Sequence, residues 1–395
     1  MFQLSTLLRE LVGETRRRPQ IPLVDILRCV LWLYGCRLPS LNALEEVLQG
    51  QGRALVEKRV PSADTIGRMM ARTDPEGIRK LLARVCARGR RSKAIRHRAE
   101  RQPWCVSVDG HELFWSWQRH CAGCLTREIQ TRQGPKLQYY HTEVTVQLVD
   151  AEPPMCLDAE LVAPGEGEIG AARRLLRRVL AEFAFIQVVS LDGLYLEAPI
   201  LREILAAGKG AIVVLKEERR ELYREARALM SQLAPQEALV GGDKVEFWEL
   251  GGLRCWEALE GVEVRVVRTR RYRTRPREGQ APVQDWMWAV VGLGPQVSAL
   301  SIHRLGHARW DIENCGFNEQ DRFFGLDHCF KHHPRAILNF ILLLFLGTLL
   351  TELFFTRNLK PQRRRGMSLS GLARCLLQQL PRASEASVWT TTRGP

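Results

Sequence analysis

Apolar positions in the first hundred residues recur at the three-to-four-residue spacing of helices. Helices are predicted to begin after Ser40, after Ser62 or Asp64, and after Asp74, because these residue types cap helix N-termini. Asp74 is also followed by proline, which is common in the first turn of a helix. Residues 1–100 are therefore predicted to form a helical domain.

The last two predicted helices of this domain are basic. The helix after Ser62 carries Arg68 and Arg72, and the next helix runs into an arginine-rich stretch at 88–101. A short helix, a turn and a second basic helix are compatible with a DNA-binding unit in which Arg68 and Arg72 contact DNA. A helical bundle with a solvated basic face fits the same pattern.

From residue 104 the apolar positions alternate with polar ones, which is the spacing of β-strands. Three strands are predicted, and they are followed by a helix, a strand, a helix and a strand. The three strands cover residues 104–114, 139–150 and 155–164. This order predicts an α/β layer architecture with a mixed sheet, whose first part spans residues 101–217.

The alternation of strands and helices stops at residue 218. Residues 218–297 are β-rich and aromatic, which predicts an inserted β-rich subdomain. The helical spacing returns over residues 298–357, where the last helices of the α/β core are expected. Residues 358–395 form a basic, serine-rich tail that is expected to be loose.

The composition favours a basic intracellular protein that meets a polyanion. There are 58 Lys and Arg against 44 Asp and Glu, a net charge of +14. Nucleic acid is the simplest partner for such a surplus, although an ordinary basic cytosolic enzyme would share it. The eleven cysteines are odd in number and scattered, which indicates reduced thiols and a cytoplasmic location.

One segment, residues 336–355, is long and apolar enough to span a membrane. Asn339 and Glu352 interrupt it, and no other stretch of the chain is comparably apolar. We therefore interpret it as a buried helix and expect no membrane association.

Two aspartates occupy matching positions in the predicted sheet. Asp109 ends the apolar run CVSVD, Asp192 ends IQVVSLD, and each precedes a glycine that lets a ligand approach closely. In open α/β sheets, ligands bind at the carboxyl ends of the strands. A single aspartate in such a place is usually a turn former, but two in equivalent places favour a functional pair.

A third carboxylate is expected from the helix that contains GHARWDIENCGFNEQ, residues 306–320. Glu313 follows Arg309 by four residues, so the two share a helix face among apolar neighbours. Three carboxylates supply the oxygen ligands that Mg²⁺ prefers, and a pair of such ions can cleave a phosphodiester. Arg309 could then bind a phosphate through its planar fork of donors. The alternative is a solvated Arg–Glu ion pair that contributes little stability.

The order of the motifs VSVDG, VVSLDGLY and RWDIENCGFNEQ, with LDH downstream, resembles the DDE transposases of bacterial insertion sequences. The resemblance covers roughly residues 104–350 and is greatest to the branch whose RNase H-like fold carries a β-rich insertion before the glutamate. It implies that Asp109, Asp192 and Glu313 bind two Mg²⁺ or Mn²⁺ ions. These ions would promote hydrolysis at the element's end and then attack of the freed 3′-hydroxyl on target DNA.

The same resemblance implies double-stranded DNA as partner, both at the element ends and at the target, and a homodimer in the synaptic complex. The expected location is the bacterial cytoplasm, in association with the nucleoid. That branch commonly carries Tyr-x2-Arg-x3-Glu-x6-Lys around its glutamate. Arg309 and Glu313 match the centre of this signature, but Gly306 and Gln320 stand at the tyrosine and lysine positions. Asn314 fits a related IENxxF pattern and is expected to contact DNA.

A second group of possible metal ligands surrounds HCAGC. Cys121 and Cys124 form a Cys-x2-Cys pair, and His111, His120 and His141 lie near it in the sequence. Thiolates and imidazoles are the ligands of structural zinc, so the pair with one or two of these histidines would bind Zn²⁺. A second cysteine pair is lacking, and two reduced cysteines on a hairpin remain the alternative.

Three functions stay open on the sequence alone. The leading one is a transposase, and the second is an RNase H-like nuclease or resolvase that cuts DNA without joining it. The third is a catalytically inactive, domesticated DNA-binding protein with the same fold. Strand-transfer products discriminate the first two. The presence of all three acids argues against the third, whereas the altered flanking signature favours it.

Overall fold

The computed structural model describes residues 3–56, 59–99, 102–216, 221–254, 259–276 and 278–380, and within them the fold is mixed α/β. The helices are α1 Leu4–Leu11, α2 Leu23–Gly35, α3 Leu41–Gln49, α4 Ala63–Arg72, α5 Pro75–Arg91, α6 Glu168–Glu182, α7 Ala198–Ala206, α8 Glu221–Met230, α9 Ala299–Ala308, α10 Asn318–Phe324, α11 Pro334–Leu353, α12 Pro361–Arg364 and α13 Leu369–Gln379. The strands are β1 Arg96–His97, β2 Cys105–Ser116, β3 Leu125–Thr131, β4 Gly134–Val149, β5 Ala151–Glu152, β6 Met155–Leu161, β7 Val188–Leu191, β8 Gly210–Val214, β9 Gln236–Val240, β10 Asp243–Leu253, β11 Val264–Tyr272 and β12 Val283–Val291.

The N-terminal helices begin where capping residues allow them to begin. The Ser40 side chain accepts a hydrogen bond from the Ala43 amide at 3.1 Å. Ser62, and not Asp64, caps α4, because its hydroxyl accepts from the amide of Thr65 at 3.2 Å. Each cap satisfies one of the amides that a helix N-terminus leaves without a partner inside the helix.

The apolar helix α11 fills the centre of the N-terminal half. It packs against α2, α4, α5 and β6, and 83% of its most apolar stretch is buried inside the protein, as the interpretation of a buried helix predicts. The Asn339 side chain donates at 2.8 Å to the carbonyls of both Met70 and Thr73, at the end of α4. This polar residue interrupts the apolar run because it satisfies backbone carbonyls that would otherwise be buried without a partner.

Ten strands form one mixed sheet. Its order is β3-β4-β2-β7-β8-β12-β11-β10-β9, with β6 also paired to β4. Strands β2, β7 and β8 run parallel to one another, whereas the other neighbours are antiparallel. A further two-stranded ladder joins β1 to β5.

The β-rich stretch expected as an insertion shares its sheet with the core. Strand β12 pairs with β8 from Trp288 opposite Val214 to Val291 opposite Ala211, and β11, β10 and β9 continue outward. The basic tail is helical in its first part, where α13 buries Leu372, contrary to the expectation of a loose segment. Residues 381–395 lie outside the described residues.

Side chains of the central strands alternate between two packed layers, as the strand period requires. Val106, Val108 and Val189 join the larger core, which also holds the inner faces of α6 and α7. Val188 and Ile212 point to the other layer, where they pack with Ile302 and Leu305 of α9. Helices cover both faces of the sheet. Polar side chains can therefore gather at the ends of its strands.

Candidate functional site

Asp109 and Asp192 lie side by side on neighbouring parallel strands. Strands β2 and β7 are in register at Val108 opposite Leu191, so the next residue on each strand is an aspartate. Strand β7 ends there, as expected. Strand β2 continues to Ser116 because β4 stays paired beside it, so Asp109 ends the apolar run CVSVD but lies inside its strand, as the strand predicted over residues 104–114 implies. The predicted pairing of the two acids nevertheless follows from the register.

Glu313 reaches the same place from a π-helical turn, Ile312–Phe317, between α9 and α10. Arg309 at the end of α9 connects the three acids. Its Nη1 lies 3.3 Å from Asp109 Oδ2 and 3.3 Å from Glu313 Oε1. Its Nη2 lies 3.9 Å from Asp192 Oδ1. One guanidinium thus contacts carboxylates from three separate elements, and π-helical turns are frequent at functional sites.

Arg309 lies beneath the acids and not on the surface. Its side chain is 4% exposed, whereas those of Asp109 and Asp192 are 21% and 26% exposed. The guanidinium also lies over the ring of Trp310, 4.4 Å from its centroid. The alternative of a solvated Arg–Glu pair therefore does not hold, and the expected phosphate contact would require Arg309 to exchange partners.

The two aspartates differ in how readily they ionise. Burial raises the pKa of Asp109 to about 6, against the opposing effect of Arg309 and with a further rise from Glu313. Burial also acts on Asp192, but the hydrogen bond from Lys216 and the amide of Gly193 outweigh it and lower the pKa of that carboxyl. Lys216 Nζ lies 3.1 Å from Asp192 Oδ2. At neutral pH both acids are ionised, and protons compete most strongly for Asp109.

Two residues at this site were not expected from the sequence. Lys216 follows the third parallel strand, β8, and reaches back to Asp192. Glu168, the first residue of α6, accepts a hydrogen bond from the Tyr195 hydroxyl. A Cβ built on Gly110 would lie 2.3 Å from the Glu168 carboxylate, so the glycine after Asp109 makes room for this fourth acid. The strand order, once known, would have identified Lys216.

The structure accounts for both departures from the signature around Glu313. Gly306 is buried, and a Cβ there would lie 2.4 Å from Trp288 Nε1, so no tyrosine fits at this position. Gln320 is 6% exposed, and its Nε2 donates to Cys156 Sγ at 3.1 Å. Both positions therefore face the core of the protein.

The other residues expected to contact DNA are exposed. Asn314 lies on the π-helical turn next to Glu313, and Arg68 and Arg72 lie on α4. The Arg68 guanidinium donates to the hydroxyl of Thr65 at 3.3 Å. These positions leave the three side chains accessible to a partner.

The second predicted ligand group forms a compact cluster of Cys121, Cys124, His141 and His332, whose ligand atoms all lie within 4.8 Å of one another. The two sulfurs are 3.7 Å apart, and His141 Nε2 lies 3.3 Å from each of them. His332 Nε2 lies 3.2 Å from Cys124 Sγ. These four residues could hold a metal ion such as zinc.

The distances suit one central ion. Tetrahedral zinc with ordinary bond lengths separates two sulfurs by about 3.8 Å and a sulfur from a nitrogen by about 3.5 Å. Burial lowers the pKa of His141 to about 4, so its ring is neutral at pH 7, which is the form that binds metal. Cys-x2-Cys and two imidazoles form a common ligand set of structural zinc sites.

Only one of the three histidines expected near the cysteines belongs to this cluster. His111 instead hydrogen-bonds Asp327 at 2.8 Å and stacks on Phe317. His120 bonds the Gln118 carbonyl. Of the three candidates, the structure brings His141 to the two cysteines and leaves His111 and His120 outside the cluster. His332, 208 residues after Cys124, completes the set, and sequence proximity could not have selected it.

Neither the comparison with protein-family models nor the search of curated proteins finds a match to this chain.

Proposed function

We propose that this protein is a metal-dependent DNA transposase with an RNase H-like catalytic core. The observation that carries the proposal is the guanidinium of Arg309, which contacts Asp109, Asp192 and Glu313 from three separate elements. A cation at this point shows that the three carboxylates converge closely enough to share one positive charge. The order of the strands β6-β4-β2-β7-β8, three antiparallel and then two parallel, supports such a core.

The donor set fits a hard divalent cation. Asp109, Asp192 and Glu313 are all carboxylates with side chains 21%, 26% and 36% exposed, so they can exchange Arg309 for a hydrated ion at the surface. Bound Mg²⁺ or Mn²⁺ would supply the electrostatic activation needed for phosphodiester hydrolysis and for attack of the freed 3′-hydroxyl on a phosphodiester of the target DNA. In this proposal the three acids hold the cofactor.

Other side chains of the site position the acids and the DNA. Lys216 holds one oxygen of Asp192, and the other oxygen, which lies near Arg309, would bind the cation once Arg309 has moved. Arg309 offsets part of the negative charge of the three carboxylates while no metal is present, and once displaced it can bind a phosphate with its paired donors. Glu168 lies close enough to Asp109 for its charge to raise the pKa of that acid, so it keeps the local field negative.

We further propose that the cluster of Cys121, Cys124, His141 and His332 binds a structural Zn²⁺. The four ligands leave no open coordination position, which is typical of structural and not of catalytic zinc. The ion would connect the loop before β3 and the middle of β4 to the segment before α11. Structural sites of this kind contribute directly to folding stability.

The test uses linear DNA that carries the flanks of the protein's own coding region. Asp109→Asn, Asp192→Asn and Glu313→Gln should each reduce Mg²⁺-dependent cleavage about a thousandfold or more, and DNA binding should remain within a few-fold of wild type. Asp311→Asn is the matched control. Asp311 lies two residues before Glu313 and pairs with Arg98, away from the three acids.

Retention of cleavage in any of the three variants would remove that residue from the proposed set. The reaction products also separate the two enzymatic functions that the sequence left open. A transposase joins the freed 3′-end to target DNA, whereas a nuclease or resolvase releases cut ends only. A wild-type protein that binds DNA and does not cleave it in Mg²⁺ or Mn²⁺ would favour the inactive DNA-binding protein.

A further inference from the structure

Two exposed tryptophans lie next to each other at the end of β2. Trp115 is 52% exposed and Trp117 is 39% exposed. Their rings meet edge to face with centroids 5.3 Å apart. Indole rings gain free energy when they are buried, so two adjacent exposed ones indicate a surface that a partner covers.

The loop that carries Trp117 is held in place on both sides. The Ser116 hydroxyl accepts a hydrogen bond from the amide of Arg119 at 2.8 Å, which fixes the turn after β2. Cys121 and Cys124 then anchor the loop in the cluster. Gly123 packs so closely on α11 that a Cβ there would lie 2.6 Å from Pro334 Cγ. The tryptophans are therefore presented by a fixed loop.

Positive charge lies beside this loop. Arg119 is exposed two residues after Trp117. Lys331 precedes the cluster residue His332, and its aliphatic carbons lie against α4, where a Cβ on Gly67 would be 3.3 Å from Lys331 Cδ. The chain as a whole carries a net charge of +14. Exposed aromatic rings with cations beside them suit a nucleic acid better than an apolar protein surface.

We propose that Trp115, Trp117, Arg119 and Lys331 form a DNA-binding surface separate from the three acids. The proposal rests on the proposed function in that it takes DNA as the partner. The tryptophans stack on a base exposed at a frayed duplex end, and the two cations bind the neighbouring phosphates. Asp109 lies six residues before Trp115 on the same strand. That span is about 20 Å, or about six nucleotides of one B-form strand, so one DNA end can reach both places.

The test measures binding by fluorescence anisotropy, without divalent metal, to a labelled duplex and to the same duplex with unpaired ends. The double variant Trp115→Ala/Trp117→Ala should bind the frayed duplex about tenfold more weakly and the fully paired one less than threefold more weakly. Arg119→Ala/Lys331→Ala should weaken both and reduce the salt dependence by about two phosphate contacts. Leu239→Ala is the control, because Leu239 is 78% exposed on β9.

Unchanged affinity of the tryptophan variant for the frayed duplex would overturn the proposal and would assign the surface to a protein partner. Thermal midpoints verify that each variant is folded. If the double alanine variant does not fold, Trp115→Phe/Trp117→Phe is used, and it should retain at least half of the preference for frayed ends. Binding is measured separately from cleavage. A failure of the proposed DNA-binding surface therefore changes the binding result, whereas a failure of the proposed function changes the cleavage result.

Discussion

Arg309 places its Nη1 3.3 Å from Asp109 Oδ2, although 200 positions separate the two residues in the chain. The guanidinium is buried, and its partners are the acids that would hold a divalent cation. The protein's own cation and the metal are therefore expected to compete for the same carboxylates. This competition has a consequence that can be measured without any DNA.

Arg309→Ala should lower the free energy of unfolding by about 3 kcal/mol in the absence of metal, because it leaves acids in a partly buried place without their counter-charge. Mg²⁺ should then raise the thermal midpoint of this variant more than that of the wild type. Arg304→Ala is the matched control on the same helix, since Arg304 binds Asp150 at 2.8 Å and not the three acids. An equal effect of Mg²⁺ on both variants would contradict the idea.

The proton affinity of Asp109 predicts how metal binding depends on pH. The pKa of this carboxyl is raised to about 6, mainly by burial, so protons occupy it below that pH. The Mg²⁺ concentration that gives half-maximal cleavage should therefore rise about tenfold per pH unit below pH 6 and level off above it. DNA binding at each pH is the control. A metal requirement that stays constant down to pH 5 would exclude Asp109 as a ligand.

The Cys/His cluster predicts stoichiometric zinc in protein purified without chelator. Cys124→Ser and His332→Ala should each lose the metal and lower the thermal midpoint, because either change opens the ligand set. Cys329→Ser and His120→Ala are controls that lie near the cluster and outside it, and both should keep zinc. Less than about a tenth of a zinc ion per wild-type chain would contradict the proposal, since such sites bind zinc tightly.

Gly306→Ala should destabilise the protein by about 2 kcal/mol, because the new methyl group would meet the indole of Trp288 in a packed core. Gly35→Ala provides the comparison. Gly35 also lies in a helix, and its Cβ would meet nothing within 4 Å, so this change should be neutral or slightly stabilising. Denaturant titration measures both. Equal stability of the two variants would show that Trp288 moves aside freely.

Glu352 predicts a pH dependence of stability. Burial in the apolar helix α11, with a further contribution from Glu319, raises the pKa of Glu352 to about 8. The native state thus binds this proton more tightly than the unfolded chain does, and the contribution of Glu352 to stability falls as the pH rises from about 4.5 through 8. Glu352→Gln should match the wild type near pH 5 and exceed its stability by about 4 kcal/mol at pH 9, since each pKa unit corresponds to about 1.4 kcal/mol. A constant difference at both pH values would contradict this assignment.

How far the sequence could predict the structure depended on whether the relevant contact was local. The caps Ser40 and Ser62 were predictable, because a cap and the amide it accepts are three residues apart. The closeness of Asp109 to Asp192 was predictable too, since parallel strands in register bring equivalent positions together. His332 was not predictable, because its contact with Cys124 depends on where the N-terminus of α11 lies in the folded protein.

The same limit explains the sheet and the altered signature. Alternating residues predicted strands in residues 218–297, but alternation does not say which strand pairs with which, and β12 pairs with β8 of the core. The sequence shows that Gly306 departs from the motif. It does not show the reason, because Trp288, which occupies the space of a side chain at position 306, lies on a strand within residues 218–297.

Because β12 pairs with β8, the core depends on residues 218–297 to cover the edge of its sheet. Removing this stretch would leave β8, with the sequence GAIVV, paired only to β7, and the amides and carbonyls on its exposed edge could pair with a second molecule. A shortened chain should therefore aggregate through β8 and not persist as a smaller monomer. In this fold the outer strands cover the apolar edge of β8 and prevent it from pairing with another molecule.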